Sequence, residues 1–251
     1  MNAVLLFLIV SFLLATGGVA QHAEFSRKNG LFSVPDKMNV YFFQSKNHGL
    51  VVRDEGGISS PKYGSLDAAM RKSPCVAGVN GGFFAAGAQG IPLGLVVQDG
   101  KRIHPLETGS FTVAGVVVDT GRELMIYRSR VFREMSPKPF LSAAIQGGPF
   151  LIEKGKSIAG LNTQKTSYRT FIATDGKGMW CLAVSSPMSL AELSQWLATP
   201  GALGKFKVIT ALNLDGGSSS AFWCHESGTY FPSMKSVRNY VGAAPRAVGD
   251  K

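Results

Sequence analysis

Asp215 is the side chain best placed to do chemistry in this chain. It lies in Leu214-Asp215-Gly216-Gly217-Ser218-Ser219-Ser220, after an apolar run from Phe206 to Leu212 that reads as a buried strand. A carboxylate at a strand's exit, then two glycines and three hydroxyls, fits two readings. One is a plain tight turn, since Asp-Gly is a common turn dipeptide. The other is a ligand site: paired glycines permit positive φ and put no Cβ against a ligand, and the amides of such a turn can face one concavity that suits an anion or a sugar oxygen. Two more apolar strands exit the same way. Asn80 is followed by Gly81-Gly82-Phe83-Phe84, and Gln146 by Gly147-Gly148-Pro149. Three short polar side chains before paired glycines, far apart in sequence, predict one pocket where strand ends converge. The competing reading is three independent turns in a chain with 30 glycines.

Other reactive residues make weaker cases. Ser218, Ser219 and Ser220 lack a Gly-x-Ser-x-Gly elbow, which argues against a serine hydrolase. Cys75, Cys181 and Cys224 form no Cys-x-x-Cys or Cys/His cluster that would hold zinc. Cys75 and Cys181 sit in apolar, strand-like segments and read as small buried hydrophobes, although one cysteine pair could close a disulfide in an exported protein. His225 adjoins Cys224, but neighbours along a strand face opposite sides. His104 and His225 read as surface or core histidines, and Glu107, near a turn, is a candidate acid.

The elements that must position these residues are mostly strands. Met38 to Phe43 is strand-like, and His48 to Val52 is expected to pair with it. Cys75 to Asn80 is a buried strand entering the first glycine turn. Hairpins are expected at Gly94 to Lys101 around Asp99-Gly100, at Phe111 to Tyr127 around Thr120-Gly121-Arg122, at Phe150 to Lys156, and at Thr170 to Val184 around Asp175-Gly176-Lys177-Gly178. Ser142 to Gln146 leads to the second glycine turn. A short helix over residues 65–72 is capped by Ser65. A better one over residues 189–198 has Ser189 and Glu192 as a capping box and an apolar face of Leu190, Leu193, Trp196 and Leu197. A last strand includes Val237 to Val241. The pattern predicts a single α+β domain with a mixed, mostly antiparallel β-sheet core and a few short covering helices.

The chain has 251 residues, 45% of them hydrophobic, enough for one sizeable core. Residues Ala3 to Ala15 are an apolar run, and Gly18 and Ala20 fit a signal-peptidase site with Gln21 as the first mature residue. The run is too short to span a bilayer comfortably, and no later segment is long and apolar enough to do so. The expected organisation is a signal peptide over residues 1–20, an irregular segment over 21–37, one domain over 38–245 and a basic tail over 246–251. Export to a periplasmic or secreted location follows. The formal net charge of +10 favours anionic partners, and export together with scattered Lys and Arg disfavours nucleic acid.

Asn80-Gly81-Gly82-Phe83-Phe84, Gln146-Gly147-Gly148-Pro149, Tyr168-Arg169-Thr170 and Leu214-Asp215-Gly216-Gly217-Ser218-Ser219, in that order, resemble the phosphodiester glycosidase family. The closing Ser236-Val237-Arg238-Asn239-Tyr240-Val241 is similar to the family's basic end, and the resemblance covers about residues 38–245. Ser218 stands where the family often carries a third glycine.

The resemblance implies hydrolysis of a glycosyl-1-phosphodiester in a glycan or cell-envelope polymer. Ordinary glycosidases use two carboxylates, one of which protonates the leaving oxygen. A phosphate leaving group is already a stable anion, so one carboxylate near the anomeric carbon, a cation and amide donors would suffice. That assigns Asp215 as base or nucleophile and Arg169 as a bidentate phosphate clamp, with Arg238 a second candidate. Asn80 and Gln146 would bind sugar hydroxyls or phosphate, the turns at Gly81, Gly82, Gly147, Gly148, Gly216, Gly217, Ser218 and Ser219 would line the site, and Phe83 and Phe84 would offer an apolar platform to a sugar face unless one of them packs in the core. Arg169 could instead be a structural ion-pair partner of Asp215. No cofactor is required, although the oxygens of Asp215, Asn80 and Gln146 suit calcium. The alternatives are a non-catalytic sugar-phosphate-binding module and an ordinary glycosidase using Glu107.

Overall fold

The structure is a computed structural model that describes residues 20–23, as backbone only, and residues 38–246. The expected signal peptide lies outside the described residues except for Ala20, as do residues 24–37 and 247–251. In chain order the strands and helices are β1 (Ala20–Ala23), β2 (Met38–Gln44), β3 (His48–Asp54), α1 (Leu66–Arg71), β4 (Ala77–Asn80), β5 (Val96–Gln98), β6 (Lys101–His104), β7 (Gly115–Asp119), β8 (Leu124–Arg128) and α2 (Ser129–Glu134). Then come β9 (Ala143–Gly147), β10 (Phe150–Glu153), β11 (Lys156–Ser157), β12 (Ser167–Thr174), β13 (Met179–Met188), α3 (Leu190–Ala198), β14 (Thr210–Asn213), β15 (Phe222–Cys224), β16 (Tyr230–Phe231) and β17 (Asn239–Pro245).

Three sheets share one core. Their strand orders are β1-β2-β13-β12-β14-β10-β11, β16-β15-β4-β17-β3 and β6-β5-β9-β7-β8. Every strand pairing among the described residues is antiparallel, so the α+β class holds with sheets that are antiparallel rather than mixed. Phe43 and Leu182 of the first sheet, Val79 and Val241 of the second, and Val117 and Ile145 of the third meet in one buried cluster. The helices cover the outer faces: α3 packs Leu193, Trp196 and Leu197 on Phe171 and Ala173, α1 packs Leu66 and Met70 near Trp223, and α2 packs Phe132 near Val116 and Val118. Central strands are therefore buried on both faces. In β12, Ile172 faces the shared core while Phe171 and Ala173 face α3, which is why this strand reads as a continuous apolar run.

Local chemistry sets several boundaries. Ser189 and Glu192 form the capping box of α3, and Ser65 caps α1 by accepting from the Ala68 amide. Asp99 and Gly100 both take positive φ, 50° and 77°, as the tight β5–β6 hairpin demands. β3 corrects the expected pairing: it joins β17, not β2. The chain turns at Asn47, whose amide donates to Gln44, and crosses to the second sheet, so Leu50 and Val52 oppose Tyr41 and Phe43 across the core. Burying both apolar sets outweighs a local hairpin. β14 starts at Thr210, later than the apolar run, and β17 runs on to Pro245. Helix α2 and strands β15 and β16 were not expected. The N-cap of α2, Arg128, makes no side-chain cap bond, and β15 and β16 have three and two residues. All three cysteines are free and buried, so none forms a disulfide. Burial pushes the Cys75 thiol up to about 12, which removes it as a nucleophile.

Candidate active site

The three glycine turns abut one another. The Asp215 amide donates to the Gly81 carbonyl at 3.0 Å, and the Gly148 amide donates to the Asn213 carbonyl at 2.8 Å. A Cβ on Gly82 would lie 2.5 Å from the Gln146 carbonyl oxygen, and one on Gly147 would lie 2.6 Å from that of Asn213. On Gly216 it would lie 2.9 Å from the Tyr168 carbonyl, and on Gly81 or Gly148 it would run into the Asn239 side chain or the Phe111 carbonyl. These glycines let backbone pass against backbone. Among the paired glycines only Gly217 takes a left-handed φ, 63°. The expected convergence is there, but most of the turn amides are spent inside the protein. Gly81 and Gly82 donate to the backbone and side-chain oxygens of Asn239, and Gly216 donates to Asp215 Oδ1.

Asn80 and Gln146 serve this convergence rather than facing a ligand, a correction of their expected contact with sugar or phosphate. Asn80, fully buried, donates from Nδ2 to the Asp215 carbonyl at 2.6 Å, and its Oδ1 accepts from the Thr170 hydroxyl and the Ala221 amide. It ties β4, β12 and the chain before β15 to the backbone of the Asp215 turn. Gln146, also buried, donates to the carbonyls of Glu107 and Val113 and to Ser129 Oγ, and accepts from the Leu95 and Glu107 amides. The carboxamide oxygens of both side chains already accept two hydrogen bonds each. The oxygens considered for calcium therefore do not fit as a ligand set, and no cluster of three or more His, Cys, Asp or Glu side chains suited to a metal occurs among the described residues. Glu107 is exposed and is tied to Gln146 only through its backbone.

Asp215 is half-buried at the mouth of this knot. Burial raises the pKa of its carboxyl above the ordinary range, opposed by the Ser219 hydroxyl, the Gly216 amide and the charges of Lys235 and Lys165. The Ser219 hydroxyl lies beside the carboxylate but meets no partner at full hydrogen-bond geometry. Asn213 Oδ1 and Asn239 Nδ2, on either side of the same turn, are also buried without a partner. Such atoms are rare in folded proteins, and three of the four among the described residues lie on Asn213, Ser219 and Asn239, around the Asp215 and Gly81-Gly82 turns.

The two arginines differ. Arg238 makes a buried bidentate pair with Asp54, at 2.8 and 2.9 Å, and donates from Nη1 to the Gln89 carbonyl. Three of its five N–H groups are engaged and its charge is paired, so its expected place among the substrate-binding residues has less support than that of Arg169. Arg169 is only 8% exposed, yet no ion pair engages it among the described residues, so it is not the structural partner of Asp215. Its Nε donates to the Met188 carbonyl and its Nη2 to the Lys165 carbonyl. Desolvation alone lowers its pKa.

Phe83 is half-buried, and its neighbour Phe84 carries the Lys235 ammonium 5.2 Å from its ring centre. Lys165 and Lys235, the lysines acting on Asp215, escaped the sequence reading because single lysines in polar loops look like any solvated charge. The one signal available was their spacing: Lys165 lies four residues before Arg169, and Lys235 three before Arg238.

A sequence profile of the phosphodiester glycosidase family matches residues 73–250. A curated relative, the N-acetylglucosamine-1-phosphodiester alpha-N-acetylglucosaminidase of Bos taurus, is 28% identical over an alignment of 198 residues, and the match covers 71% of this chain and 36% of the relative. The chain thus spans about a third of that protein's length. Among solved structures, the catalytic domain of the zebrafish N-acetylglucosamine-1-phosphodiester alpha-N-acetylglucosaminidase, auto-inhibited by its pro-peptide, superposes with a TM-score of 0.63 at 14% identity, covering 90% of this chain and 82% of that one. A hypothetical protein from Synechocystis gives 0.57 at 16% identity, covering 90% and 62% of the two chains. A putative exported protein from Burkholderia pseudomallei K96243 gives 0.52 at 13%, covering 83% and 74%. These three likenesses show a shared fold; the profile match, over well more than half of the residues, shows the kinship. The chain belongs to the phosphodiester glycosidase family.

Proposed function

We propose that this protein is an exported hydrolase that cleaves a glycosyl-1-phosphodiester bond in a glycan or cell-envelope polymer. Asp215 acts as base or nucleophile and Arg169 as the phosphate clamp. The observation that carries this reading is a buried guanidinium with no acidic partner, Arg169, on the strand next to one half-buried carboxylate. An uncompensated buried cation costs several kcal/mol, and an anionic ligand offsets that cost. Two carbonyls orient the guanidinium through Nε and Nη2, which leaves Nη1 for a phosphate oxygen. The amides of Gly217 and Ser218, at the start of the turn after Asp215, are the remaining donors on that side.

The reaction needs no second carboxylate. Asp215 either takes a proton from the water that attacks the anomeric carbon or attacks that carbon itself, giving a glycosyl-enzyme that water then opens. The bond from the anomeric carbon to oxygen breaks, its electron pair stays with the phosphate, and the products are a free sugar and a phosphomonoester. Family membership and the activity for which the bovine relative is named support the substrate class. Export rests on the N-terminal apolar run with its small-residue cleavage site, and no described helix is long and apolar enough to cross a membrane.

Asp215→Asn, which keeps size and shape, tests the reading. Release of sugar from the methyl phosphodiester of N-acetylglucosamine 1-phosphate should fall by about a thousandfold or more with the circular dichroism spectrum unchanged. Wild-type binding without any turnover would instead make the protein a binding module, and preferred cleavage of plain glycosides with loss in Glu107→Gln would restore the two-carboxylate alternative.

A further inference from the structure

Two polar loops carry lysines whose charges act on Asp215; one is hydrogen-bonded to Arg169 and the other to the Asp215 turn. The first, residues 161–166, precedes β12. Asn162 Oδ1 accepts from the amides of Gln164 and Lys165, the Asn162 carbonyl accepts from Ala191 at the start of α3, and the Lys165 carbonyl receives Arg169 Nη2. The second, residues 232–236, precedes β17. The Met234 amide donates to the Ser218 carbonyl at 2.8 Å, which stitches this loop to the turn that carries Asp215. The ammonium of Lys235 then lies 5.2 Å from the ring centre of Phe84, two residues beyond the Gly81-Gly82 turn. Both lysines are exposed, and among the described residues neither makes an ion pair. Isolated surface lysines are common. Two on separate loops whose charges both act on one carboxylate, with a buried unpaired arginine bonded to one of those loops and the other loop bonded to the Asp215 turn, make an excess of positive charge that Asp215 alone does not balance.

We propose that Lys165 and Lys235 form a two-sided cationic clamp on the phosphate of the substrate, and that this clamp sets the preference for a glycosyl phosphodiester over a plain glycoside. The inference deepens the proposed hydrolase reading and rests on it for the identity of the anion. Arg169, fixed by carbonyls and mostly buried, supplies directional contact from below, while the two ammoniums on flexible stems follow the phosphate as its charge grows during departure. The face of Phe84 is occupied by Lys235, so this ring positions a cation instead of stacking on a sugar.

The test compares Lys165→Gln, Lys235→Gln and the double variant on the methyl phosphodiester of N-acetylglucosamine 1-phosphate and on the corresponding methyl glycoside, with inorganic phosphate as a competitive inhibitor. Each single variant should raise KM for the phosphodiester roughly tenfold, the double variant more, and phosphate inhibition should weaken in parallel. Lys235→Arg should retain most of the wild-type KM, which a merely structural role of the loop would not require. Cleavage of the plain glycoside should fall less than that of the phosphodiester, because the lost charges reach it only through the Asp215 carboxyl. An unchanged phosphodiester KM and unchanged phosphate inhibition in the double variant would overturn the clamp while leaving the hydrolase reading intact. Where wild type proves inactive on the phosphodiester, the hydrolase reading is what has failed. Calorimetry with inorganic phosphate then decides the clamp: binding lost in the double variant supports it, and equal binding refutes it.

Discussion

Asp215 sits where two demands conflict. In the proposed role of base or nucleophile it must be ionised, yet burial favours its neutral form. The consequence for stability has a definite sign. A carboxyl whose pKa is raised in the folded state is relatively content while protonated, so its contribution is full below the ordinary carboxylate pKa. That contribution is lost as pH climbs through the ordinary value to the raised folded one. Asp215→Asn cannot ionise and escapes this loss. Its melting temperature should match wild type in acid and exceed it increasingly across that window, as thermal unfolding from pH 3 to 8 will show; a variant less stable than wild type at neutral pH would contradict the burial argument. The acid limb of wild-type kcat/KM should likewise lie above the usual carboxylate range. Asn80 illustrates the opposite case. Its type and position beside two glycines suggested a ligand contact, but the side chain turns inward and holds the Asp215 backbone.

At the scale of elements, the glycine turns are the joints of the site. They hold β4, β9 and β14, one strand from each of the three sheets, close enough for carbonyls and amides to touch. Gly82 is the sharpest case, since a side chain there meets the Gln146 carbonyl, which cannot swing away as a flexible side chain could. Gly82→Ala should cost about 1–3 kcal/mol in urea unfolding and should also lower kcat, because relief of the clash separates the Asn80 and Gln146 turns. The same exchange at Gly57, whose added Cβ finds nothing closer than 3.7 Å, should be close to neutral. If both variants behave alike, close backbone approach is not what these glycines provide. Turn chemistry and capping made the hairpins and α3 legible in the sequence; α2 and the short β15 and β16 lack caps or length, and only packing brings them into being.

For the whole molecule, the buried Arg238–Asp54 pair joins the end of β3 to the entry of β17 and fastens the loop at Gln89. Removing one partner strands the other charge in the interior. Arg238→Ala should therefore destabilise by about 3–5 kcal/mol in denaturant unfolding, and Asp54→Asn added to it should recover part of the loss. A variant of unchanged stability but raised KM would make Arg238 a substrate ligand after all. The net charge of +10 acts on the same scale, drawing anionic polymers toward the site without choosing among them.

By itself the sequence determined the α+β class, the hairpins, the capped helices, the family and the meeting of three glycine turns around Asp215. Each rests on local pattern: strand period, turn residues, cap spacing and short motifs. Only the tertiary structure decided which polar side chains face outward and which bind the turns together. Asn80, Gln146 and Arg238 have the residue types of ligand contacts, yet each finds its partners in chain segments tens to more than a hundred residues away, and the charges of Lys165 and Lys235 act on the carboxylate only because the fold brings two distant loops to the Asp215 side of the molecule. A motif states what a side chain is able to bind; burial and the partners already in reach settle what remains free to bind a substrate.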